Sequence, residues 1–452
     1  MHISRRHFLV ASGGSVAAAF IGLRAVSAQG EKTAPPDSDF GALISDPNGV
    51  LDLPAGFSYQ VISRAGSRMG DGLLLPGAAD GMAAFAAGRD KVRLVRNHEL
   101  DAKRARQQGG AFGEDNGLIG KLPKSAFYDA GGSEPSQGGT TTLVYNLRER
   151  RVEQEYLSLI GTERNCAGGA TPWGSWLSCE EDTGKAGGRH GQDHGYVFEV
   201  PAAHAGLVPP IPLKAMGRFN HEAAAVDPRS GIVYLSEDRP DGLLYRFVPK
   251  KSGRLAEGGR LEALVLSDRM AADTRNWNSK AGALMPGVKL PVRWIAIDNV
   301  EAPDDDLRQR GHAAGAALFG RGEGLWWGQG ELYFTCTVGG AAQAGQVFRY
   351  RPARQGGGTL ELFVESSDKD VFANADNLTV APWGDLLVCE DTSRSCRLVG
   401  IRPDGSLYRF AANPYNGSEL AGVCFSPDGR TLFLNVQTSG LTLAITGPFP
   451  MA

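Results

Sequence analysis

The residues best equipped for chemistry in this 452-residue sequence are acids that close short apolar runs. Glu99, Glu180 with Glu181, Glu237 with Asp238, and Glu390 with Asp391 end such runs, and Thr337 and Asn435 hold the matching places in two more. A second polar group precedes most of them: Cys166 and Asp376 stand fourteen residues before Glu180 and Glu390, and Glu222 stands fifteen before Glu237. Arg321-Gly-Glu323 precedes Thr337, and Glu419 precedes Asn435, in the same way. Equal spacing in separate units is what one shared site requires. Carboxylates crowded without compensation raise one another's pKa values and weaken the fold, so a metal is the economical partner. Hard oxygen ligands favour calcium, manganese or ferric iron, and a thiolate in the set favours a transition metal. Zinc through His ranks lower, because no His-Glu-x-x-His spacing is present. Cys166 lies in a glycine-rich turn and reads equally as a ligand or as a structural thiol. Arg321, beside Glu323 on glycine-rich backbone, is suited to clamp a phosphoryl oxygen. No Ser-His-Asp order, Gly-x-Ser-x-Gly elbow, Walker loop or Gly-x-Gly-x-x-Gly fingerprint occurs, which sets nucleophilic serine and nucleotide-cofactor chemistry low.

The elements that must position these groups are short strands in a repeating pattern. Six cores share one form: 91–99, 174–182, 231–238, 330–337, 384–391 and 430–437. Most precede a second strand of the kind seen in Tyr196-Val-Phe, Leu244-Tyr-Arg-Phe and Val347-Phe-Arg-Tyr. Asp227-Pro-Arg-Ser-Gly, Ala381-Pro-Trp-Gly and Ser426-Pro-Asp-Gly mark tight turns ahead of three cores. Repeats of a few strands each predict an all-β, six-bladed β-propeller, with stretches 100–140 and 250–320 as inter-strand insertions. A β-sandwich is the alternative, but six copies of one pattern are hard to place in two sheets. Inner-strand ends from different blades would then converge on the axis.

Sixty-one glycines fit many tight turns, and a net charge of −3 carries no signature for nucleic acid or anionic lipid. Ser4-Arg-Arg-His-Phe-Leu9, the apolar run to Leu23 and Val26-Ser-Ala28 read as a twin-arginine export signal over 1–28. Residues 29–50 read as a flexible leader and 51–452 as a single propeller domain, exported through the twin-arginine translocase to the periplasm or medium. No later run is long and apolar enough to span a membrane. Most of the six cysteines sit in strand-like runs, where thiols act as small hydrophobes; Cys389 with Cys396 is the close pair that could form a bridge.

The leader, Asn165-Cys-Ala-Gly-Gly-x-Thr-Pro-Trp-Gly-x-Trp-Leu-x-Cys-Glu-Glu181, Asn220-His-Glu222, Arg321-Gly-Glu-Gly324, Asp376-Asn-Leu378 and Cys389-Glu-Asp391 resemble the PhoX alkaline phosphatases across nearly the whole mature chain. The resemblance implies a six-bladed propeller phosphatase holding two ferric irons and calcium ions at its axis. Carried over, Cys166 is the iron thiolate, Glu181, Glu237, Glu323 and Asp376 bind iron or calcium, and Arg321 contacts the substrate phosphate. Repeat spacing extends ligand roles to Glu180, Glu222 and Glu390. The reaction implied is hydrolysis of small phosphate monoesters, with diesters a further prospect, by a monomeric enzyme. A calcium-dependent lactonase or phosphotriesterase and a non-catalytic calcium-stabilised binding module remain as alternatives. Two departures stand out: the chain is shorter than is typical of the family, and Asn435-Val-Gln-Thr-Ser-Gly440 lacks a His-Pro-Gly associated with this position.

Overall fold

Strands such as Ser175–Glu180, His221–Val226, Val233–Glu237 and Leu386–Glu390 are buried at every residue. A strand buried on both faces needs a sheet against each, so the chain must stack its sheets face to face. The computed structural model describes residues 39–131, 134–277, 283–354, 356–393 and 395–450. The export leader and the start of the 29–50 segment lie outside the described residues. Apart from two seven-residue α-helices, Ala102–Gln108 and Leu307–Ala313, and short 3-10 turns, the described chain is all β.

The first four-stranded sheet takes Ala79–Ala86, Lys91–His98, Gly138–Asn146 and Arg151–Thr162. A three-stranded sheet follows with Asn165–Ala170, Ser175–Glu180 and Val197–Pro201. A nine-stranded sheet then runs from His221–Val226 at one edge to Gly322–Gly328 at the other. Two more four-stranded sheets begin at Ala375–Val380 and Leu420–Phe425. The last of them borrows its outer strand from far upstream: Leu441–Thr446 pairs with Ser58–Arg64. Apolar layers separate neighbouring sheets. Met82, Leu94 and Leu143 meet Cys424, Phe433 and Ala444, while Ala83, Val95 and Leu159 meet Trp176 and Phe198. Each such fully buried side chain is worth about 1.5–3 kcal/mol relative to exposure.

The arrangement is propeller-like. The six strands that open the repeats start at Ala79, Asn165, His221, Gly322, Ala375 and Leu420, and each packs beside the next in a closed circuit. The circuit is tight enough to bring backbone against backbone. A Cβ on Gly81 would stand 2.6 Å from Ala167 Cα, one on Gly324 2.6 Å from the Asp376 carbonyl, and one on Gly422 2.3 Å from the Asp80 carbonyl. Gly81, Gly168, Gly324 and Gly422 help line a small cavity of about 20 Å³ between these strands.

Two expectations change. Residues 39–50, read as part of a flexible leader, are tied down from residue 39 onward: Leu43–Ile44 pairs with Leu53–Pro54, and the Asp46 carboxylate accepts from the N–H of Asn48 (3.0 Å) and Val50 (2.9 Å). Phe40 packs edge-on to Phe57 and Phe410, an apolar anchor that a Pro-rich composition conceals. The 250–320 stretch is more than an insertion, because Gly259–Leu266 and Lys289–Ala296 extend the nine-stranded sheet. All six cysteines are free and buried, Cys389 and Cys396 included. Among the described residues no helix is long and apolar enough to cross a membrane.

Gly324→Ala should lower the denaturant midpoint by an amount equivalent to at least about 2 kcal/mol, since overpacking against backbone cannot relax by a rotamer change. Gly117→Ala, where an added Cβ meets nothing within 4 Å, should leave the midpoint in place.

Candidate metal centre

The strand that opens each repeat carries a β-bulge immediately after its first one or two residues, between Ala79/Met82, Asn165/Gly168, His221/Ala224, Gly322/Leu325, Ala375/Leu378 and Ala421/Cys424. A bulge bends its strand and re-aims the side chain beside it. In five of the six strands the residue at that place is Asp80, Cys166, Glu222, Glu323 or Asp376. Four of the strands are entered through a non-glycine residue with positive φ: Ala78 (47°), Arg164 (47°), Arg321 (54°) and Asn374 (49°). Holding L-residues there costs about 1–2 kcal/mol each.

The partner strands supply the rest. Ala79, Asn165, His221, Gly322, Ala375 and Leu420 lie opposite His98, Glu180, Glu237, Cys336, Glu390 and Val436. The next residue along, Glu99, Glu181, Asp238, Thr337, Asp391 or Gln437, falls on the axial side, as its contacts show. Gln437 Nε2 donates to Asp80 (2.7 Å) and Glu99 (3.1 Å), and the Thr337 hydroxyl donates to Glu323 (2.8 Å). Two places before those ends, Asn97, Ser236, Thr335 and Asn435 donate to the carbonyls of Cys166, Glu323, Asp376 and Asp80 on the next opening strand of the circuit, at 2.6–3.1 Å. Asp80, Cys166, Glu323 and Asp376 are thereby fixed through their own backbone.

Three groups of donor atoms, each within 4.8 Å of one another, form a continuous chain around the axis: Asp80–Glu99–Cys166, Cys166–Glu181–Glu222 and Glu222–Glu323–Asp376. Cys166 and Glu222 belong to two groups each. Burial, and then the neighbouring carboxylates, raise the pKa of Asp80, Glu181, Glu222 and Glu323, and with Asp391 push Asp376 up to about 7. The Cys166 thiol is raised by burial and by Asp80 and Glu222. Three guanidiniums offset part of this charge. Arg104 pairs with Glu99; Arg164 reaches Glu99 (2.8 Å) and Glu181 (2.5 Å). Arg321 holds Asp238 through Nε (2.7 Å) and Nη2 (2.8 Å) and meets Glu323 at 2.7 Å. The compensation is incomplete: both carboxylate oxygens of Glu222 and one of Asp80 are buried without a hydrogen-bond partner. Orphaned hard oxygens facing a thiol form a donor set that fits a metal ion.

Of the candidates from sequence, Cys166, Glu181, Glu222, Glu323 and Asp376 meet here, with Arg321 at the rim. Glu180, Glu237 and Glu390, one residue short of the axial position, bind within their own sheets. Glu180 accepts from His194 Nδ1 (2.6 Å) and the N–H groups of Glu163 (3.0 Å) and Gly195 (2.9 Å). Glu237 accepts from the Tyr245 hydroxyl (2.9 Å) and Leu243 N–H (3.2 Å), and Glu390 from Arg397 Nε (2.5 Å) and Ala373 N–H (2.7 Å). Sequence reading passed over Asp80, which precedes Glu99 by nineteen residues because its hairpin is longer. It passed over Arg164 too, although Arg164 precedes Cys166 as Arg321 precedes Glu323.

The family described as alkaline phosphatase PhoX matches residues 38–440. The chain belongs to this family of phosphoric ester hydrolases. A solved structure titled "Pseudomonas fluorescens PhoX in complex with vanadate, a transition state analogue" shares the fold, with 18% identity, a TM-score of 0.65, and 88% of this chain and 96% of that chain covered. A gluconolactonase from Xanthomonas campestris is a more distant likeness, at 13% identity and a TM-score of 0.42 over 90% of this chain and 100% of that one. No curated protein matches by sequence.

Glu222→Gln should act in opposite directions on the two forms of this PhoX-family protein. In chelator it removes a buried, repelled carboxylate and should raise the melting temperature. With metal supplied it should reduce the metal-dependent gain in melting temperature seen for the parent.

Proposed function

We propose that the protein is an exported, metal-dependent phosphatase that hydrolyses phosphate monoesters at the axis of a six-bladed propeller. The count of six treats the nine-stranded sheet as two four-stranded blades joined by Lys289–Ala296, and the six-strand circuit around the axis supports it. The observation that carries the functional reading is Glu222: a fully buried carboxylate, both oxygens unpartnered, at the junction of two donor groups in a PhoX-family chain. Asp80, Glu99, Cys166, Glu181, Glu222, Glu323 and Asp376 would hold the ions. One thiolate among hard oxygens suits ferric iron together with calcium. When bound, such ions withdraw charge from a phosphoryl group and ease its attack by water.

The chain's own groups bind and orient. Arg321 uses Nε and Nη2 on Asp238 and Glu323, so its fork is fixed while Nη1 remains for a phosphoryl oxygen. Arg104 pairs with Glu99, and Arg164 with both Glu99 and Glu181, which holds the two carboxylates in place. Close packing beneath the ring closes the axis on one side, so substrate approaches from the Arg321 face. Asp391 borders a cavity of about 770 Å³ lined also by Lys369, Asn374, Arg397 and Arg409, a size suited to the ester's leaving group. Glu180, Glu237 and Glu390 tie loops to strand ends in this reading and do not bind the ions. The sequence signal at 1–28 supports periplasmic or extracellular export.

Protein exported through its own leader should contain about two irons plus calcium by elemental analysis and release p-nitrophenol from p-nitrophenyl phosphate. Cys166→Ala should lose both iron and activity. Arg321→Ala should keep its metals while kcat/KM falls by about 10²–10³, the usual effect of deleting one charge-stabilising donor. Calcium without iron, and no phosphate release, would end the phosphatase reading.

A further inference from the structure

Away from the axial donors, two long loops meet at a second cluster. Asp129 lies in the excursion that precedes strand Gly138–Asn146, and His190 and His194 lie in the loop between Ser175–Glu180 and Val197–Pro201. All three are buried, at 1%, 7% and 0% exposure, and their donor atoms fall within 4.8 Å of one another. We propose that Asp129, His190 and His194 form a second metal site, for a divalent transition ion of the zinc type, which fastens the two loops beside the axial centre.

Hydrogen bonding fixes the outer side of the cluster. Glu180 Oε1 lies 2.6 Å from His194 Nδ1, so Nδ1 carries a proton and Nε2 faces inward. Glu180 thereby orients the imidazole, as carboxylates commonly do behind metal-bound histidines. His194 Nε2 lies 3.1 Å from Asp129 Oδ2. A lone pair set against a carboxylate oxygen is repulsive unless a proton or a cation lies between them. A proton on His194 would answer that contact alone. The neighbouring group decides for the ion: His190 Nδ1 is buried without a hydrogen-bond partner and faces the same Asp129 Oδ2 at 3.8 Å. Asp129 Oδ2 also accepts from the N–H groups of Gly191 (2.8 Å) and Gln192 (3.3 Å), which hold it in the cluster, and an ion between the three would give His190 Nδ1 the partner it lacks.

The dimensions fit. Ligand atoms about 2.0–2.1 Å from zinc stand roughly 3.0–3.5 Å apart; His194 Nε2 and Asp129 Oδ2 already stand so at 3.1 Å, and His190 Nδ1 would draw in from 3.8 Å. The second oxygen of Asp129 accepts from Gly131 N–H at 2.7 Å, which fixes the carboxylate plane. Glu163, with one oxygen buried and unpartnered, adds negative charge near His194. Arg189 Nε now touches His190 Nε2 at 2.8 Å. Ligation through Nδ1 leaves a proton on Nε2, so this half-exposed guanidinium would swing to solvent. Asp182, already paired with Arg189 at 3.5 Å, is its nearby carboxylate. The axial acids play no part in the site, so the proposal stands or falls separately from the phosphatase reading.

The experiment loads the full-length protein, its axial metals in place, with zinc or cobalt, dialyses it and measures retained metal beside iron and calcium. Parent protein should retain about one equivalent that His190→Ala does not, with iron and calcium unchanged between the two. Its cobalt form should show visible bands of the intensity expected for a four- or five-coordinate ion. Cys166→Ala should keep this equivalent while losing iron. Asp129→Asn checks the carboxylate, and a folded His190→Gln variant replaces His190→Ala if the latter is unstable. Equal retention by parent and His190 variants, or no retention by either, would overturn the proposal.

Discussion

Everything in this protein follows from how closely six strands approach one axis. Glycines at 81, 324 and 422 allow one strand's backbone to touch the next, and any side chain there would meet carbonyl oxygens. Such proximity brings together carboxylates from sheets hundreds of residues apart in sequence. Their mutual repulsion, in a place with little water, opposes folding. Three arginines and a set of amide and hydroxyl donors relieve part of it, and the orphaned oxygens of Glu222 mark what they leave undone. The glycine-rich motifs and the acids are thus one device. Glycine sets the distance, and the distance brings the donor atoms of the acids in each group within 4.8 Å of one another.

A single-residue step decides which acid does what. Adjacent residues of a strand face opposite ways, so in Glu180-Glu181, Glu237-Asp238 and Glu390-Asp391 one carboxylate joins the axis and its neighbour ties down a loop. The same alternation places Asn97, Ser236, Thr335 and Asn435 on carbonyls of the next opening strand, while Cys179 and Cys389 take that place in the two remaining repeats. Structural and chemical roles are interleaved along each strand.

The repeat, the all-β class and the meeting of Cys166, Glu222 and Asp376 were legible because spacing between paired strands survives in the sequence, whereas Glu181 and Glu323 came through the likeness to PhoX motifs. The facing of side chains at the strand ends was not legible. Spacings of fourteen and fifteen differ by one residue, and one residue is the whole difference between Glu180 and Glu181. Asp80 was hidden by a longer hairpin. Arg164 was hidden because a cation before a cysteine carries no signal until the two strands are seen to be equivalent. The anchoring of residues 39–50 depends on Phe40 and Asp46 finding partners at the far end of the chain, which local composition does not encode.

The pairing of Leu441–Thr446 with Ser58–Arg64 also sets an order of events during synthesis. Asp80 is made 357 residues before Gln437, which donates to its carboxylate. Until then the circuit is open and the acids on either side of the seam have no shared interior to crowd into. Long-range closure of this kind is slow compared with local hairpin formation. Ring closure is therefore a single late step: the groups on either side of the seam gain a shared interior only when Leu441–Thr446 finds Ser58–Arg64.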